Sequence, residues 1–235
     1  MNITCMKASR GWTAVIPIRN GSKGVPGKNT RLLAGKALYE YTLDLALDAG
    51  AECAIISTDI PEVLNATHRD KRVRVLPRPA PLCGDEVQMA PVLEQALRIA
   101  GVTGPAVLLQ ATSPLRHSSD VQSALELLAT GKYQLVMSVS MANSEILKWG
   151  KLDGERFIPL SSPEHCFSNR QSLPCVVKPN GAIYAVDSQM FLEKRTFACE
   201  RIGVILMPPE RSYDIDTYAD FERCESLIRV RSAKK

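Results

Sequence analysis

A chain of 235 residues with 45% hydrophobic residues has enough apolar sequence to bury a core without disulfide or metal staples. Its charged share of 23% is that of an ordinary soluble globule, and a formal net charge of +4 is too small to argue for a nucleic-acid binder while suiting an enzyme with a local pocket for anions. Cys5, Cys53, Cys83, Cys166, Cys175, Cys199 and Cys224 form no C-x-x-C pair, the three histidines are scattered, and no apolar run reaches the ~20 residues of a membrane span or makes a signal peptide, so reduced thiols in a soluble cytoplasmic protein are expected.

In chain order, Thr13–Ile18 (TAVIPI) is a short β-branched run that predicts a buried strand. Leu38, Tyr41, Thr42, Leu45 and Ala49 recur at helical spacing, and Gly50 ends that helix. Cys53–Thr58 predicts a second buried strand, Pro61 opens a short helix, and Val73–Leu76 predicts a third strand. Met89, Val92, Leu93, Ala96, Leu97 and Ala100 make the apolar stripe of a further helix before a strand at Ala106–Gln110. Ser119 and Gln122 read as a capping box for the next helix, followed by a strand at Leu135–Val139. From 141 to 178 the rhythm breaks into an irregular stretch, which predicts a functional or docking segment. Asn180-Gly181 reads as a turn, Gly181–Val186 and Gly203–Met207 as strands, and Thr217 with Asp220 as the cap of a last helix carrying Phe221, Cys224 and Ile228. The terminal RSAKK is expected to fray. Strands alternating with helices predict one α/β domain over residues 1–235, a mostly parallel, doubly wound sheet. Ligands of such sheets sit beyond the carboxyl ends of the strands, where Arg19, Asp59 and Gln110 all fall.

The chemistry concentrates in a few stretches. After the first strand, IPIRNGSKGVPGKN places Arg19, Lys23 and Lys28 on one loop with Gly21, Gly24 and Gly27 between them. Cations that close repel, and a glycine-rich turn brings backbone N–H groups near phosphate oxygens, so the loop predicts a bound phosphate anion. It matches neither the P-loop nor the Rossmann glycine spacing, and a solvated basic loop is the plain alternative. In YDIDT, Ile215 between Asp214 and Asp216 suggests extended backbone with both carboxylates on one face. Two such carboxylates repel unless a cation joins them, and Mg²⁺ held by carboxylates, phosphates and water fits; a helix cap with a spare acid is the alternative. Gln110 can both donate to and accept from a base edge, whereas Thr112, Ser113 and Arg116 read more simply as a helix cap. Arg170 and Lys178 bracket the entry to a strand and could meet a carboxylate, the arginine with two parallel hydrogen bonds and the lysine as a point charge.

Taken together, AVIPIRNGSKGVPGKN, STD, LLQATSPLR and KPNGAIY followed by DID resemble the cytidylyltransferases that activate nine-carbon sialic acids, across residues 14–220. The resemblance implies conversion of CTP and a nonulosonic acid to the CMP-sugar and pyrophosphate, with Mg²⁺ or Mn²⁺. It implies that Arg19, Asn20, Ser22, Lys23, Lys28 and Asn29 form the nucleotide loop, that Arg78 and Gln110 hold the cytidine, and that Asp214 and Asp216 hold the metal, with Lys23, Arg19 and the two aspartates catalytic. It assigns Gln110, Arg170, Gln171, Lys178 and Asn180 to the acid sugar, with Lys148 on a dimer-borne segment at 141–178, and so implies a homodimer. Lys178 stands where many members have Arg, and Ala111 where Pro is usual. Legionaminate, pseudaminate or 3-deoxy-manno-octulosonate are rival acids, and a nucleotide-sensing protein is the non-enzymatic rival. A nucleic-acid binder built on His68–Arg78 is the third, though its alternating valines read more simply as a strand with a basic face.

Overall fold

A computed structural model describes residues 11–232, so Cys5 and residues 233–235 lie outside the described residues. The chain runs β1 (Thr13–Pro17), the short pair β2 (Leu32–Leu33) and β3 (Lys36–Ala37), α1 (Leu38–Asp48), β4 (Cys53–Thr58), α2 (Pro61–Leu64) and β5 (Val73–Pro77). It continues with α3 (Met89–Ala100), β6 (Pro105–Leu109), α4 (Ser118–Ala129) and β7 (Leu135–Met141). A hairpin of β8 (Gly150–Asp153) and β9 (Arg156–Pro159) follows, then β10 (Val177–Asp187), α5 (Ser188–Lys194), β11 (Ile202–Leu206) and α6 (Tyr218–Ser232).

Seven strands form one sheet in the order β11-β7-β10-β6-β1-β4-β5. All neighbours are parallel except β10, which runs antiparallel to both β6 and β7. Successive strand residues point to opposite faces. Ala14 and Ile16 therefore join Leu43 and Ala46 of α1 and Val121 and Ala124 of α4, while Val15 joins Leu93 and Leu97 of α3 and Phe191 of α5. This is the doubly wound layering expected from the alternation of strands and helices.

A third buried cluster decides where the site forms. Val25 and Leu33 from the segment after β1, Leu38 of α1, Leu115, Ile215, and Phe221 and Cys224 of α6 pack together away from the sheet. Enclosing Ile215 completely contributes about 1.5–3 kcal/mol. That burial ties the acidic segment before α6 to the basic turn after β1.

Several local expectations change. The buried side of α1 is Leu38, Tyr39, Thr42, Leu43 and Ala46, because the helix packs against both the sheet and the third cluster; Tyr41 and Leu45 are half-buried. Helix α4 starts at Ser118, one turn-position before the expected Ser119 cap, and Asp120 accepts from the His117 N–H at 2.9 Å. Asn180-Gly181 is a bulge inside β10 rather than a turn: the register shifts between Pro179 and Tyr184, and Gly181 has φ +77°. Arg231 does not fray, since its guanidinium donates to the carbonyls of Leu115 and Glu210. The stretch from 141 to 178 is less irregular than expected, because Gly154-Glu155 turns the β8–β9 hairpin with Gly154 at φ +58°. The Thr217–Asp220 cap forms as expected, each residue accepting from the backbone N–H of the other.

Candidate active site

Parallel strands deliver the first set of groups. Arg19 follows β1, Asp59 follows β4, Arg78 follows β5 and Gln110 follows β6. The chain leaves β1 toward β4 on one side and returns to β6 on the other, so a crevice opens beyond the carboxyl ends at this reversal. A cleft of ≈ 390 Å³ occupies it, lined by Arg19, Ser22, Lys23, Lys28, Asn29, Arg78, Gln110 and Asp216, together with Asp85 and Thr112.

The basic turn is held in shape by its own neighbours. Asp59 accepts from the Asn20 N–H at 2.7 Å, and the buried Asn29 side chain donates to the Arg19 carbonyl at 2.9 Å. Gly24 lies so close to the acidic segment that a Cβ there would stand 2.0 Å from the Asp216 carbonyl oxygen. Lys28 bridges the two segments: its Nζ donates to the Ile215 carbonyl and lies 3.2 Å from Oδ1 of Asp216, 188 positions away. From the other side the Ile215 N–H donates to the Thr112 carbonyl at 2.9 Å. Arg19 and Lys23 converge on a carboxylate of the protein itself, Asp85, and their hydrogen bonds, that of Lys23 foremost, hold its carboxyl below the usual range.

Arg78 is buried, donates to the Ser57 carbonyl at 2.9 Å, and has its Nε without a partner among the described residues. Burial lowers its guanidinium pKa. Arg116 is not a helix cap. It is buried behind the site, donating to the Ala182 carbonyl in the β10 bulge and to Oγ1 of Thr42 at 2.6 Å, and burial pushes its pKa down to about 9.

A second cleft of ≈ 360 Å³ adjoins this region, lined by Ser140, Lys178, Asn180, Gly181, Tyr184, Ser212 and Asp214. The two aspartates thus flank the border between the clefts, Asp214 facing the second and Asp216 the first, instead of lining a single wall. Burial pushes the Asp214 carboxyl above the usual range, against a hydrogen bond from Thr112, and the Asp216 carboxylate adds to the rise. Oδ1 of Asp214 is buried without a partner among the described residues. An orphaned, buried oxygen on a half-buried carboxylate beside a second carboxylate fits a hard divalent cation whose remaining positions go to phosphate and water. Gly181 leaves room for this arrangement: a Cβ there would come 3.3 Å from Oε1 of Gln110 and 3.9 Å from Oδ2 of Asp214. Asn180 is committed to the fold, accepting from Oγ of Ser138 and donating to Oγ of Ser212 at 3.1 Å.

Lys148, Arg170 and Gln171 line neither cleft; they lie on the 141–178 arm, with Arg170 and Gln171 exposed. Sequence reasoning passed over Asp85, Tyr184 and Ser212 as site residues. Asp85 sits in CGDEV, with no spacing signal linking it to Arg19 and Lys23, and only the folded chain joins them.

A family model described as cytidylyltransferase matches residues 13–153. The chain belongs to the cytidylyltransferase family. Among its cytidylyltransferase relatives is an Escherichia coli N-acylneuraminate cytidylyltransferase, 32% identical over 225 residues, which cover 94% of this chain and 53% of that protein. An N-acylneuraminate cytidylyltransferase of Streptococcus agalactiae is 30% identical over 88% of this chain and 51% of its own length, so the chain spans about half the length of these relatives. The CMP-N,N'-diacetyllegionaminic acid synthase of Legionella pneumophila is 30% identical over 92% of this chain and 96% of that protein. The fold is shared with a solved CMP:2-keto-3-deoxy-manno-octonic acid synthetase complexed with CTP, at a TM-score of 0.73 and 17% identity over 94% of this chain and 100% of that one.

Proposed function

We propose that this cytidylyltransferase domain joins CTP to a nonulosonic acid of the sialic type, releasing pyrophosphate and forming the CMP-sugar. The observation that carries the reading is the meeting of the basic turn with Asp216 in one cleft, while Asp214, two residues before it, lines a second cleft. In such a transfer the protein positions reactants and neutralises charge, with little covalent chemistry of its own.

Arg19, Lys23 and the backbone N–H groups of the glycine-rich turn bind the triphosphate, and Lys23 stabilises the departing pyrophosphate. Lys28 keeps the turn against the acidic segment. Arg78 and Gln110 orient the cytosine. Asp214 and Asp216 would hold Mg²⁺ or Mn²⁺, which supplies positive charge to phosphate oxygens when bound. The acid sugar enters the second cleft, where Lys178 meets its carboxylate as a point charge. Lys148, Arg170 and Gln171 complete that cleft from the arm of a partner in a homodimer. The apolar surface of the arm supports this arrangement. The free thiols of Cys53, Cys83, Cys166, Cys175, Cys199 and Cys224 suit a cytoplasmic setting.

A second reading takes a legionaminate-type acid, favoured by the end-to-end match to the Legionella synthase. Incubation with CTP, Mg²⁺ and a panel of nonulosonic acids, followed by pyrophosphate release, tests both. Release is expected with N-acetylneuraminate and is lost on chelation of the metal. Greater turnover with legionaminate favours the second reading, and CTP binding without release for any acid favours nucleotide sensing.

A further inference from the structure

The cations offered to a triphosphate are already matched by a charge of the protein. Asp85 lies in the loop between the short turn Ala80–Leu82 and α3, and its side chain lines the phosphate cleft. Nη2 of Arg19 donates to Oδ1 of Asp85, and Nζ of Lys23 lies 2.6 Å from Oδ2. Both carboxylate oxygens therefore sit where two oxygens of a phosphate would, on the two residues that the proposed function gives to the triphosphate.

We propose that Asp85 is an internal stand-in for phosphate, occupying the Arg19–Lys23 seat in the free protein, yielding it to an incoming polyphosphate and returning as pyrophosphate leaves. The inference rests on the reading of this cleft as a triphosphate site. Left unpaired, two cations on one short turn repel each other, and the seat disperses or captures any small anion. The carboxylate keeps both side chains gathered toward one point, so the seat is organised before the nucleotide arrives. A carboxylate and a phosphate in the same seat repel, so each polyphosphate that enters meets the same displacement cost. That cost weakens the hold on pyrophosphate and speeds its exit. Asp85 acts here through Arg19 and Lys23 and is a positioning residue.

Asp85→Asn keeps the side-chain shape and removes the charge. The wild type and this variant are titrated with inorganic pyrophosphate, CTP and cytidine in the presence of Mg²⁺ and without acid sugar, by calorimetry. Two exposed ion pairs set the scale, so pyrophosphate and CTP are expected to bind roughly three- to tenfold tighter to the variant. Cytidine, which has no phosphate to reach the seat, binds both alike. Asp85→Glu is expected to return the wild-type affinities. A loop damaged by the substitution loosens polyphosphate, so tightening cannot come from misfolding. Equal or weaker polyphosphate binding by Asp85→Asn, or cytidine tightened by the same factor, overturns the stand-in while leaving the triphosphate site in place. Failure of both proteins to bind pyrophosphate and CTP overturns the site reading and the stand-in together.

Discussion

In the sheet, Ile16, Ile56, Leu108 and Ile183 are wholly enclosed, whereas on the arm from 141 to 178 Trp149, Leu152 and Phe167 stand 60%, 81% and 91% exposed. The central strands β1, β4 and β6 bury their apolar side chains between two helical layers within the chain, whereas the edge strand β11 leaves Ile202, Val204 and Leu206 exposed. The arm consists of a two-stranded hairpin and short helical turns, and an isolated hairpin has little stability of its own. The functional groups divide along the same line. The first cleft draws its lining from the sheet's strand ends, the basic turn and the acidic segment, all in one chain. Lys148, Arg170 and Gln171 ride on the arm away from both clefts. A closed core gathers cationic side chains in one cleft, whereas the arm leaves large apolar side chains outside, a surface of the kind that marks interaction sites.

The sharpest way to break this contrast is to disable the cleft without touching the core. Asp216 is exposed, so Asp216→Ala is expected to preserve the circular dichroism spectrum while lowering turnover about 10²–10³-fold or more. Near-normal turnover with Mg²⁺ removes the metal role. Next in size is Gly24→Ala, whose methyl meets the Asp216 carbonyl and pushes the basic turn off the acidic segment. Misplacement on this scale is expected to lower kcat/KM for CTP roughly 10²-fold and, because the clash is with backbone, to lower the melting temperature as well.

A substitution behind the cleft should be felt by the core. Arg116→Met leaves the Ala182 carbonyl without its buried donor and is expected to cost about 1–3 kcal/mol in urea unfolding. Alkaline pH supplies a milder core test. Burial pushes the Cys224 thiol up to about 11, so it stays protonated in the native state above pH 9 while the unfolded chain ionises. The unfolded state then binds fewer protons than the native one, and stability falls as pH rises between about 9 and 11. Cys224→Ser is expected to flatten that slope in melting curves recorded across the window. The smallest effect on the phosphate cleft belongs to the arm. Leu152→Ser with Phe167→Ser is expected to leave CTP affinity unchanged while shifting sedimentation from dimer to monomer. A loss of CTP affinity comparable to that of Gly24→Ala would join the arm to the cleft and erase the contrast.

Much of the fold was legible because short-range patterns agree with it. The β-branched runs of β1, β4 and β6 are enclosed on both faces, and the stripe from Met89 to Ala100 is the helix it suggests. The cationic turn stood out because charge and glycine crowd into a few adjacent residues. The direction of β10 did not stand out, since an apolar run carries no mark of whether it pairs parallel or antiparallel. The hairpin closed by Gly154-Glu155 was readable in principle, a glycine turn lying inside a stretch otherwise without period. Arg116 resembled a helix cap because local sequence cannot show that Thr42 and Ala182 close around it.

The amino-acid sequence by itself determined most of the sheet strands and long helices, the sheet's layering and the two chemically marked segments, because backbone preference, apolar period and local charge density are properties of neighbouring residues. Tertiary structure alone decided that Ile215 buries beside Val25 and Leu33 and so brings Asp216 to Lys28, that the aspartates part between two clefts, and that Asp85 closes on Arg19 and Lys23. Those contacts join residues tens to nearly two hundred positions apart, and they exist only where the burial of apolar side chains outweighs the entropy of closing the chain between them.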